Sequence, residues 1–368
     1  MFQYTGEYKK HSALGRSSME FYTFTPSPLC DGLPLPVDDE LFALLTTAHR
    51  LLGVLEGLIT LTPDIKIIRD LCYLKESCSS LLIDGKNSIE FFDALKIRSA
   101  NKAAMYHIDN LTAAQKYARG KHFTSPELIT ICTLIKHGVG STQNEEIRTK
   151  QIYSNNALTN LKIYTPTAPE DIQPALYDLT KFIAMDNHTD ALIKAALVHY
   201  QFEMIHPFEH RNGVVGRVLI PMMLESAGYE AAPYLCISEY LYHNKDIYFD
   251  KLSSTQRGSG YALWVKFFVQ AVCYASEKSI AWIKQFALAA QKEAPIIAEL
   301  AKSSKAALPV YEYFRKNIAS EIKPVAEAIG VSYNTAAKVV NLLQDAGIVK
   351  LENEQARHKV FLYHGMAL

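Results

Sequence analysis

Apolar residues recur every three or four positions over most of the chain. The pattern runs through residues 41–59, 126–135, 191–205 and 263–301, where leucine, isoleucine and alanine dominate one face. Such spacing is typical of amphipathic helices that bury one side. We therefore expect a mainly α protein.

Two stretches interrupt this helical pattern. Residues 1–36 contain four prolines within FTPSPLCDGLPLP and are expected to form an irregular arm. Residues 138–174 are rich in turn formers, and within them residues 161–164, with the sequence LKIY, have the composition of a short strand. The second stretch therefore predicts a small β-hairpin on a helical body.

The C-terminal part of the chain has a different pattern. Short helices are expected at residues 310–316, 322–329 and 334–345, with a Gly-Val-Ser turn between the second and the third. Gly347 would end the third helix, and two β-rich runs around a polar turn follow it. Elements in this order predict a winged helix-turn-helix.

This C-terminal segment suggests DNA as a partner. The polar residues expected to face outward on its third helix and in its wing are Asn334, Thr335, Lys338, Arg357, His358 and Lys359. Such side chains could contact phosphates and bases. Because the third helix is not strongly basic, the alternative is a module for dimerisation or peptide docking, and a homodimer stays open.

Charge and cysteine content narrow the classes of protein. Lysine plus arginine and aspartate plus glutamate each number 38, so the chain has no overall attraction to nucleic acid or membrane. The six cysteines are scattered without a C-x-x-C pair, which favours buried thiols over a zinc site. The N-terminus lacks the apolar run of a signal peptide, and no segment is expected to reach the length of a membrane span. We therefore expect a cytoplasmic protein without membrane contact and assign no metal ligands.

Candidate chemistry lies in residues 206–217, HPFEHRNGVVGR, between two apolar helices. A loop that leads into a helix N-terminus presents free N–H groups and the positive end of the helix dipole, which suit phosphate. Asn212 and Gly213 would let the backbone approach an anion, and Arg217 would reach back to it. His206 lies where a general base is needed. The alternative is an ordinary helix–loop–helix corner with a capping Asn212 and a surface His206.

This segment resembles the signature of the Fic family, H-P-F-x-[D/E]-G-N-G-R-x-x-R. The matching residues are His206, Pro207, Phe208, Asn212, Gly213 and Arg217. The lead-in FEMIHPF and residues 234–241, 248–252 and 264–268 are similar to the family, and residues 147–148 and 161–164 resemble its flap. The resemblance implies a helical Fic fold with a β-hairpin flap and a C-terminal winged helix. It divides the chain into an N-terminal helical region at 1–100, a Fic core at 101–300 and the winged helix at 301–368.

The resemblance implies a protein adenylyltransferase. In such proteins the histidine, here His206, deprotonates a Ser, Thr or Tyr hydroxyl of a target protein, which attacks the α-phosphate of ATP. The target can be the protein itself, and the flap holds it by strand pairing. The residues that the resemblance assigns to nucleotide binding are His210, Arg211, Asn212, Gly213, Arg217 and Tyr248, and those assigned to target docking are Leu161, Lys162 and Ile163.

Three positions depart from the family signature. His210 stands where the family has an acid that holds Mg²⁺, Arg211 replaces a glycine, and Val214 replaces the first arginine. Magnesium prefers oxygen ligands, so an imidazole is a poor substitute. Two hypotheses follow. Either Arg211 supplies the missing charge and AMP transfer survives, or the chain is a catalytically degraded Fic protein that acts as a nucleotide-binding or DNA-binding regulator.

A second family feature lies near residue 80. Ser80, Asp84 and Gly85 resemble the inhibitory helix motif [S/T]-x-x-x-E-[G/N], in which the glutamate pairs with the last arginine of the signature. The resemblance implies a contact between Asp84 and Arg217, direct or through water because Asp is shorter than Glu. The alternative is a plain helix end at Asp84 followed by a left-handed Gly85.

Overall fold

The computed structural model describes residues 5–12, 20–31, 35–85, 89–98, 101–152, 154–155, 162–185, 188–352 and 359–365. Within these ranges the chain forms fourteen α-helices and seven short strands. The helices are α1 Asp39–Leu61, α2 Ile65–Asp84, α3 Phe91–Ile97, α4 Lys102–Ala118, α5 Ser125–His137, α6 Ile172–Ala184, α7 Ala191–Ile205, α8 Asn212–Ser226, α9 Ile237–His243, α10 Lys245–Gln256, α11 Ala262–Ser303, α12 Ala307–Asn317, α13 Ile322–Ile329 and α14 Tyr333–Asp345. The strands are β1 Gly6–Ser12, β2 Glu20–Pro26, β3 Ser154–Asn155, β4 Lys162–Tyr164, β5 Ala319–Ser320, β6 Val349–Leu351 and β7 Phe361–Tyr363. The predicted mainly α class is confirmed.

The chain divides into two compact units, each built from separate stretches of sequence. The first contains residues 1–56, 72–88 and 107–277, and the second contains residues 57–71, 89–106 and 278–368. The boundaries expected at residues 100 and 300 stay a prediction.

Helix α7 forms the centre of the first unit. Asp190 caps its N-terminus by accepting from the N–H groups of Leu192 and Ile193, and every residue from Leu192 to Ile205 except Lys194 is buried. Helix α8 packs against it, and a side chain at Gly216 would lie 2.3 Å from Oε1 of Glu203. The absence of a side chain at Gly216 therefore lets the two helices approach each other.

Residues 6–12 and 20–26 form two paired strands, so the irregular arm expected at residues 1–36 is wrong over these residues. Strands β1 and β2 pair antiparallel from Gly6 opposite Pro26 to Ser12 opposite Glu20. Both faces of β2 are covered in part, because the adjacent residues Thr23 and Phe24 point to opposite faces and are both buried, whereas Tyr8 and Tyr22 are exposed. Pro26 is tolerated since it lies at the end of a strand.

The predicted hairpin in the loop-rich stretch is present in part. Strands β3 and β4 pair antiparallel, with Ser154 opposite Tyr164 and Asn155 opposite Lys162. Lys162 and Ile163 belong to β4, whereas Leu161 lies outside the described residues.

The C-terminal elements follow the predicted order. Ser332 caps α14 by accepting from the Thr335 N–H, and Gly330, at a φ of 73°, ends α13. Strands β5, β7 and β6 form an antiparallel sheet in that spatial order. Asn334, Thr335 and Lys338 are exposed on α14, as expected, while Arg357 and His358 lie outside the described residues. Whether this segment is a DNA-binding winged helix stays a prediction.

Helix α1 corrects the expectation that no segment reaches the length of a membrane span. Within the part of the chain that the structure describes, α1 has 23 residues and a mean hydropathy of 1.4, which suffice by length and composition. The same properties belong to core helices of soluble proteins, and α1 buries one face that includes Leu41, Leu45 and Leu52. Length and composition therefore do not decide between the two.

Candidate functional site

His206 ends helix α7 in a left-handed backbone conformation, with φ 52° and ψ 60°. A non-glycine residue rarely adopts this region without support from its neighbours. Arg148 provides that support, because its Nε donates to the His206 carbonyl at 2.8 Å and its backbone N–H donates to the Pro207 carbonyl at 2.9 Å. Nη2 of the same side chain donates to the Thr167 carbonyl at 2.5 Å. Arg148 thus fixes the point where α7 turns into the loop.

The imidazole of His206 is held in one orientation. Its Nδ1 lies 3.2 Å from the Glu203 carbonyl and 3.2 Å from the Tyr164 hydroxyl. A carbonyl only accepts, so Nδ1 carries the proton and Nε2 is the basic nitrogen. Burial lowers the pKa of His206 to about 3. The ring is therefore neutral near pH 7, as a general base must be.

Glu203 and Tyr164 lie beside the His206 imidazole on its Nδ1 side. Neither residue was predicted from the sequence. The Tyr164 hydroxyl donates to Oε2 of Glu203 at 3.0 Å, and the carboxyl is buried against Gly216. Among the described residues Oε1 of Glu203 has no hydrogen-bond partner. Burial raises the pKa of Glu203 to about 7. The spacing of Glu203 three residues before His206 on a helix was the available signal.

Asn212 closes the loop on itself. Its Oδ1 accepts from the Phe208 N–H at 2.8 Å, and its Nδ2 donates to the Phe208 carbonyl at 2.7 Å. Asn212 is buried, and the helix α8 begins at this residue. Its side chain therefore shapes the loop rather than pointing to an open surface.

The first two turns of α8 contact helix α2 through Arg217. Arg217 is buried, and its Nε donates to Oγ of Ser80 at 2.7 Å. Its Nη2 donates to the Ser80 carbonyl and to Oδ1 of Asp84, both at 2.9 Å. The contact expected between Asp84 and Arg217 is thus present and direct. A Cβ at Gly213 would lie 3.0 Å from Nη1 of Arg217, so the glycine leaves room for this pair.

Arg211 adds a second cation beside the same carboxylate. It precedes α8 with φ 70°, and its Nη1 lies 3.9 Å from Oδ2 of Asp84. Two guanidinium groups and the N-terminus of α8 therefore surround one carboxylate.

Besides Ser80 and Asp84, a third residue on the same face of α2 makes a buried polar contact. Glu76, Ser80 and Asp84 follow one another at intervals of four residues. Glu76 is buried and accepts from the backbone N–H of Ser238 at 2.9 Å and from the Ser238 hydroxyl. Burial raises its pKa to about 7. Sequence reasoning did not identify Glu76, whose role depends on its partner in α9.

Tyr248 lies behind the loop, at 1% exposure. Nδ1 of His199 faces the Gly216 carbonyl and Nε2 faces the Tyr248 hydroxyl, each at 3.0 Å. Nδ1 therefore carries the proton and Nε2 accepts from Tyr248. The predicted nucleotide-binding residue Tyr248 thus sits in the packed interior, where burial raises the pKa of its hydroxyl well above the ordinary value.

The other departures from the family signature differ in burial. His210 is exposed, whereas Val214 is fully buried. At the position of the family's magnesium ligand the chain offers an imidazole, and Mg²⁺ prefers oxygen donors. Among the described residues no group of three or more His, Cys, Asp or Glu side chains is placed to hold a metal. The residues present do not fit Mg²⁺.

Comparison with known proteins identifies the region around this loop. Residues 122–224 match the model of the Fic/DOC family. This segment is a Fic/DOC domain. It is similar to the protein adenylyltransferase fic-1 of Caenorhabditis briggsae, with 29% identity over 86 residues, and to that of Caenorhabditis elegans, with 28% identity over 85 residues. Each match covers 23% of this chain and 16% or 15% of the relative, so it spans about a sixth of those proteins.

Solved Fic structures share the fold. A Fic family protein from Desulfovibrio desulfuricans G20 superposes with a TM-score of 0.58 at 14% identity, over 92% of this chain and 99% of that chain. A Fic domain containing signaling protein from Bacteroides thetaiotaomicron gives a TM-score of 0.51 at 18% identity, over 64% of this chain and 96% of that chain. The mainly α Fic fold predicted from the sequence is confirmed.

Proposed function

We propose that this Fic-domain protein transfers AMP from ATP to a Ser, Thr or Tyr hydroxyl of a protein. The observation that carries the proposal is the orientation of His206. Its Nδ1 is bonded to the Glu203 carbonyl, so its Nε2 is the basic nitrogen, at the start of the segment that leads to Arg217 in α8. A base and a phosphate-binding cation on one short segment are the groups that this reaction needs.

The reaction balances with these residues. Nε2 of His206 takes the proton of the target hydroxyl, and the hydroxyl oxygen forms a bond to the α-phosphorus of ATP. The bond between that phosphorus and the oxygen bridging to the β-phosphate breaks, and pyrophosphate leaves. Arg217 and the N–H groups at the start of α8 would stabilise the negative charge of the phosphates.

Arg211 supports a reaction without bound magnesium. Asp84 already lies between Arg211 and Arg217, at 3.9 Å and 2.9 Å. A phosphate group is negatively charged like that carboxylate and also accepts two parallel hydrogen bonds from a guanidinium. Withdrawal of Asp84 would leave two guanidinium groups for the terminal phosphates, in place of the metal that His210 does not fit. Asp84 would then act as an inhibitor that competes with the nucleotide.

Transfer of labelled AMP tests this proposal. The full-length chain is incubated with α-labelled ATP, once with Mg²⁺ and once with EDTA, and protein-bound label is measured. We expect label in both samples. The amount of label should depend less on Mg²⁺ in the wild-type chain than in the His210→Asp variant. Absence of label in both, with the Asp84→Gly variant also inactive, would refute the proposal.

A second candidate function is a regulator that has lost transfer. It is favoured by Val214, which is fully buried where the family signature has an arginine, so one phosphate-binding cation is absent. The exposed residues Asn334, Thr335 and Lys338 of α14 are the surface that such a regulator would place on DNA. Retention of duplex DNA by the full-length chain at low salt, weakening steeply as salt rises, would support this function. No retention at low salt would remove it.

A further inference from the structure

The main-chain N–H and carbonyl groups of residues 165–167, which follow strand β4, are hydrogen-bonded to other parts of the chain. The carbonyl of Pro166 accepts from the Phe24 N–H at 3.4 Å, and the N–H of Thr167 donates to the Met204 carbonyl at 3.0 Å. The Thr167 carbonyl accepts from Arg148 at 2.5 Å. Residues 165–167, which we call the flap root, are thus joined to β2, to α7 and to the loop that contains Arg148.

Gln256 holds the first residue of the flap root. Its Oε1 accepts from the Thr165 N–H at 3.0 Å, and its Nε2 donates to the Thr165 carbonyl at 2.8 Å. One side-chain amide therefore satisfies both main-chain groups of Thr165, as a neighbouring strand would. Both residues are buried, and Gln256 is the last residue of α10. A buried bond pair of this kind is costly to leave unmade.

The consequence concerns the residue before Thr165. Tyr164 ends β4, and its hydroxyl lies 3.2 Å from Nδ1 of His206 and 3.0 Å from Oε2 of Glu203. Gln256 therefore fixes the end of β4 immediately beside the proposed base. A displacement of Thr165 would move the strand and the Tyr164 hydroxyl together.

We infer that Gln256 is a positioning residue for the protein substrate: it anchors β4 so that a target strand paired with the flap presents its hydroxyl to His206. This inference rests on the proposed AMP transfer for its catalytic part. Its structural part, the anchoring of β4 by Gln256, stands on the two hydrogen bonds alone. Gln256 would act through β4 without touching nucleotide or target.

Hydrogen exchange resolved to single amides tests the anchoring in the full-length chain. In the Gln256→Ala variant we expect the Thr165 amide to exchange about fivefold faster, since a net hydrogen bond contributes about 1 kcal/mol. The Thr167 amide is the internal control, because its acceptor is the Met204 carbonyl. Gln201→Ala is the matched control variant, since Gln201 is also buried but donates to the Ser27 carbonyl. Unchanged exchange at Thr165 in Gln256→Ala would overturn the inference.

Transfer in trans tests the catalytic part. The acceptor is the His206→Ala chain, the enzyme is wild type, Gln256→Ala or Gln201→Ala, and the donor is α-labelled ATP. For Gln256→Ala we expect the KM for the acceptor to rise about fivefold, by the same hydrogen-bond estimate, with ATP affinity unchanged. Gln256→Glu keeps an acceptor for the Thr165 N–H and should fall between wild type and Gln256→Ala.

The exchange and transfer experiments together distinguish failure of the positioning role from failure of the proposed AMP transfer. An unchanged KM in Gln256→Ala, with Thr165 exchange accelerated, would overturn the positioning role. If wild type transfers no label, the proposed function fails, and the exchange experiment still decides whether Gln256 anchors β4.

Discussion

Within residues 206–217 the hydrogen-bonded residues differ from the exposed ones. His206 and Arg217, which lies inside α8, are each held by several hydrogen bonds, and the buried Asn212 between them is bonded twice to Phe208. Glu209 and His210, by contrast, are exposed. The bonded residues set the geometry of the segment and include the proposed base and phosphate-binding cation. Change at the exposed positions is therefore expected to disturb the fold less than change at the bonded ones.

Val214 does not follow this division. It departs from the family signature but is fully buried, in the first turn of α8. An arginine introduced at this position would bury a cation in a packed interior, which costs several kcal/mol unless a partner is present. Conversion of the segment to the family signature is therefore better attempted at His210 than at Val214.

The largest expected effect comes from the hydrogen-bonded residue proposed as the base. His206→Ala should lower AMP transfer about a hundred- to ten-thousandfold, because general base catalysis contributes that much. The measurement is the single-turnover rate with labelled ATP, accompanied by ATP affinity, which should change little. Transfer at the wild-type rate would show that the proton goes to another group.

The buried carboxyl behind His206 should make stability depend on pH. The pKa of Glu203 is raised from 4.5 to about 7, so the folded chain holds this proton more tightly than the unfolded chain. Its contribution to stability is present below about pH 4.5 and is lost as pH rises to about 7. Each pKa unit corresponds to about 1.4 kcal/mol, so the loss approaches about 3 kcal/mol.

Glu203→Gln removes this dependence. Relative to wild type, the variant should gain up to about 3 kcal/mol in free energy of unfolding between pH 5 and pH 8.5, measured by urea denaturation. Glu209→Gln, which changes an exposed carboxylate of the same loop, is the control. A difference that does not vary with pH would mean that Glu203 is ionised throughout.

A smaller effect is expected where α8 contacts α2. Asp84→Gly should raise ATP affinity about tenfold, because a charge-assisted contact of about 1.5 kcal/mol no longer competes for Arg217. The fold should be kept, since Asp84 is the last residue of α2 and Arg217 retains two bonds to Ser80. Glu225→Ala, which breaks the pair with Arg119 at the other end of α8, should leave ATP affinity unchanged. Equal affinity in Asp84→Gly and wild type would argue against an inhibitory role.

The same contrast explains what the sequence could predict. The helices at residues 191–205 and 322–329 were predicted, although α7 is buried on nearly every side rather than on one face. The contact between Asp84 and Arg217 followed from a local motif resemblance. The pairing of β1 with β2 was missed because the prolines that follow were taken to mark an irregular segment, and the burial along β2 does not alternate. Periodicity reports which face is buried and says little about short strands.

Residues whose role depends on a distant partner were also missed. Gln256 lies 91 positions from Thr165, and Glu76 lies 162 positions from Ser238. No spacing rule connects such pairs, because tertiary packing alone brings them together. Tyr248 was assigned to nucleotide binding, and its burial behind Arg217 could not be inferred from its neighbours in sequence.

The smallest effect is expected at Arg211, between the exposed His210 and the first residue of α8. Arg211 has φ 70° and ψ 14°, a left-handed conformation that costs a non-glycine residue about 1–2 kcal/mol. Glycine removes this strain but loses more backbone entropy on folding, by about 0.5–1 kcal/mol. Arg211→Gly should therefore raise the free energy of unfolding by no more than about 1 kcal/mol. Urea denaturation measures this change.

A backbone control separates strain from charge at Arg211. His188 is exposed, with φ 53°, so His188→Gly should give a similar small gain in stability without altering ATP binding. Arg211→Gly, by contrast, should weaken metal-free ATP binding in the Asp84→Gly background, because one of two guanidinium groups is gone. If Arg211→Gly instead destabilises the chain while His188→Gly does not, then the contact of Arg211 with Asp84 supports the fold. Arg211 would then be a structural part of the molecule like the hydrogen-bonded residues, and activity and fold could not be changed independently there.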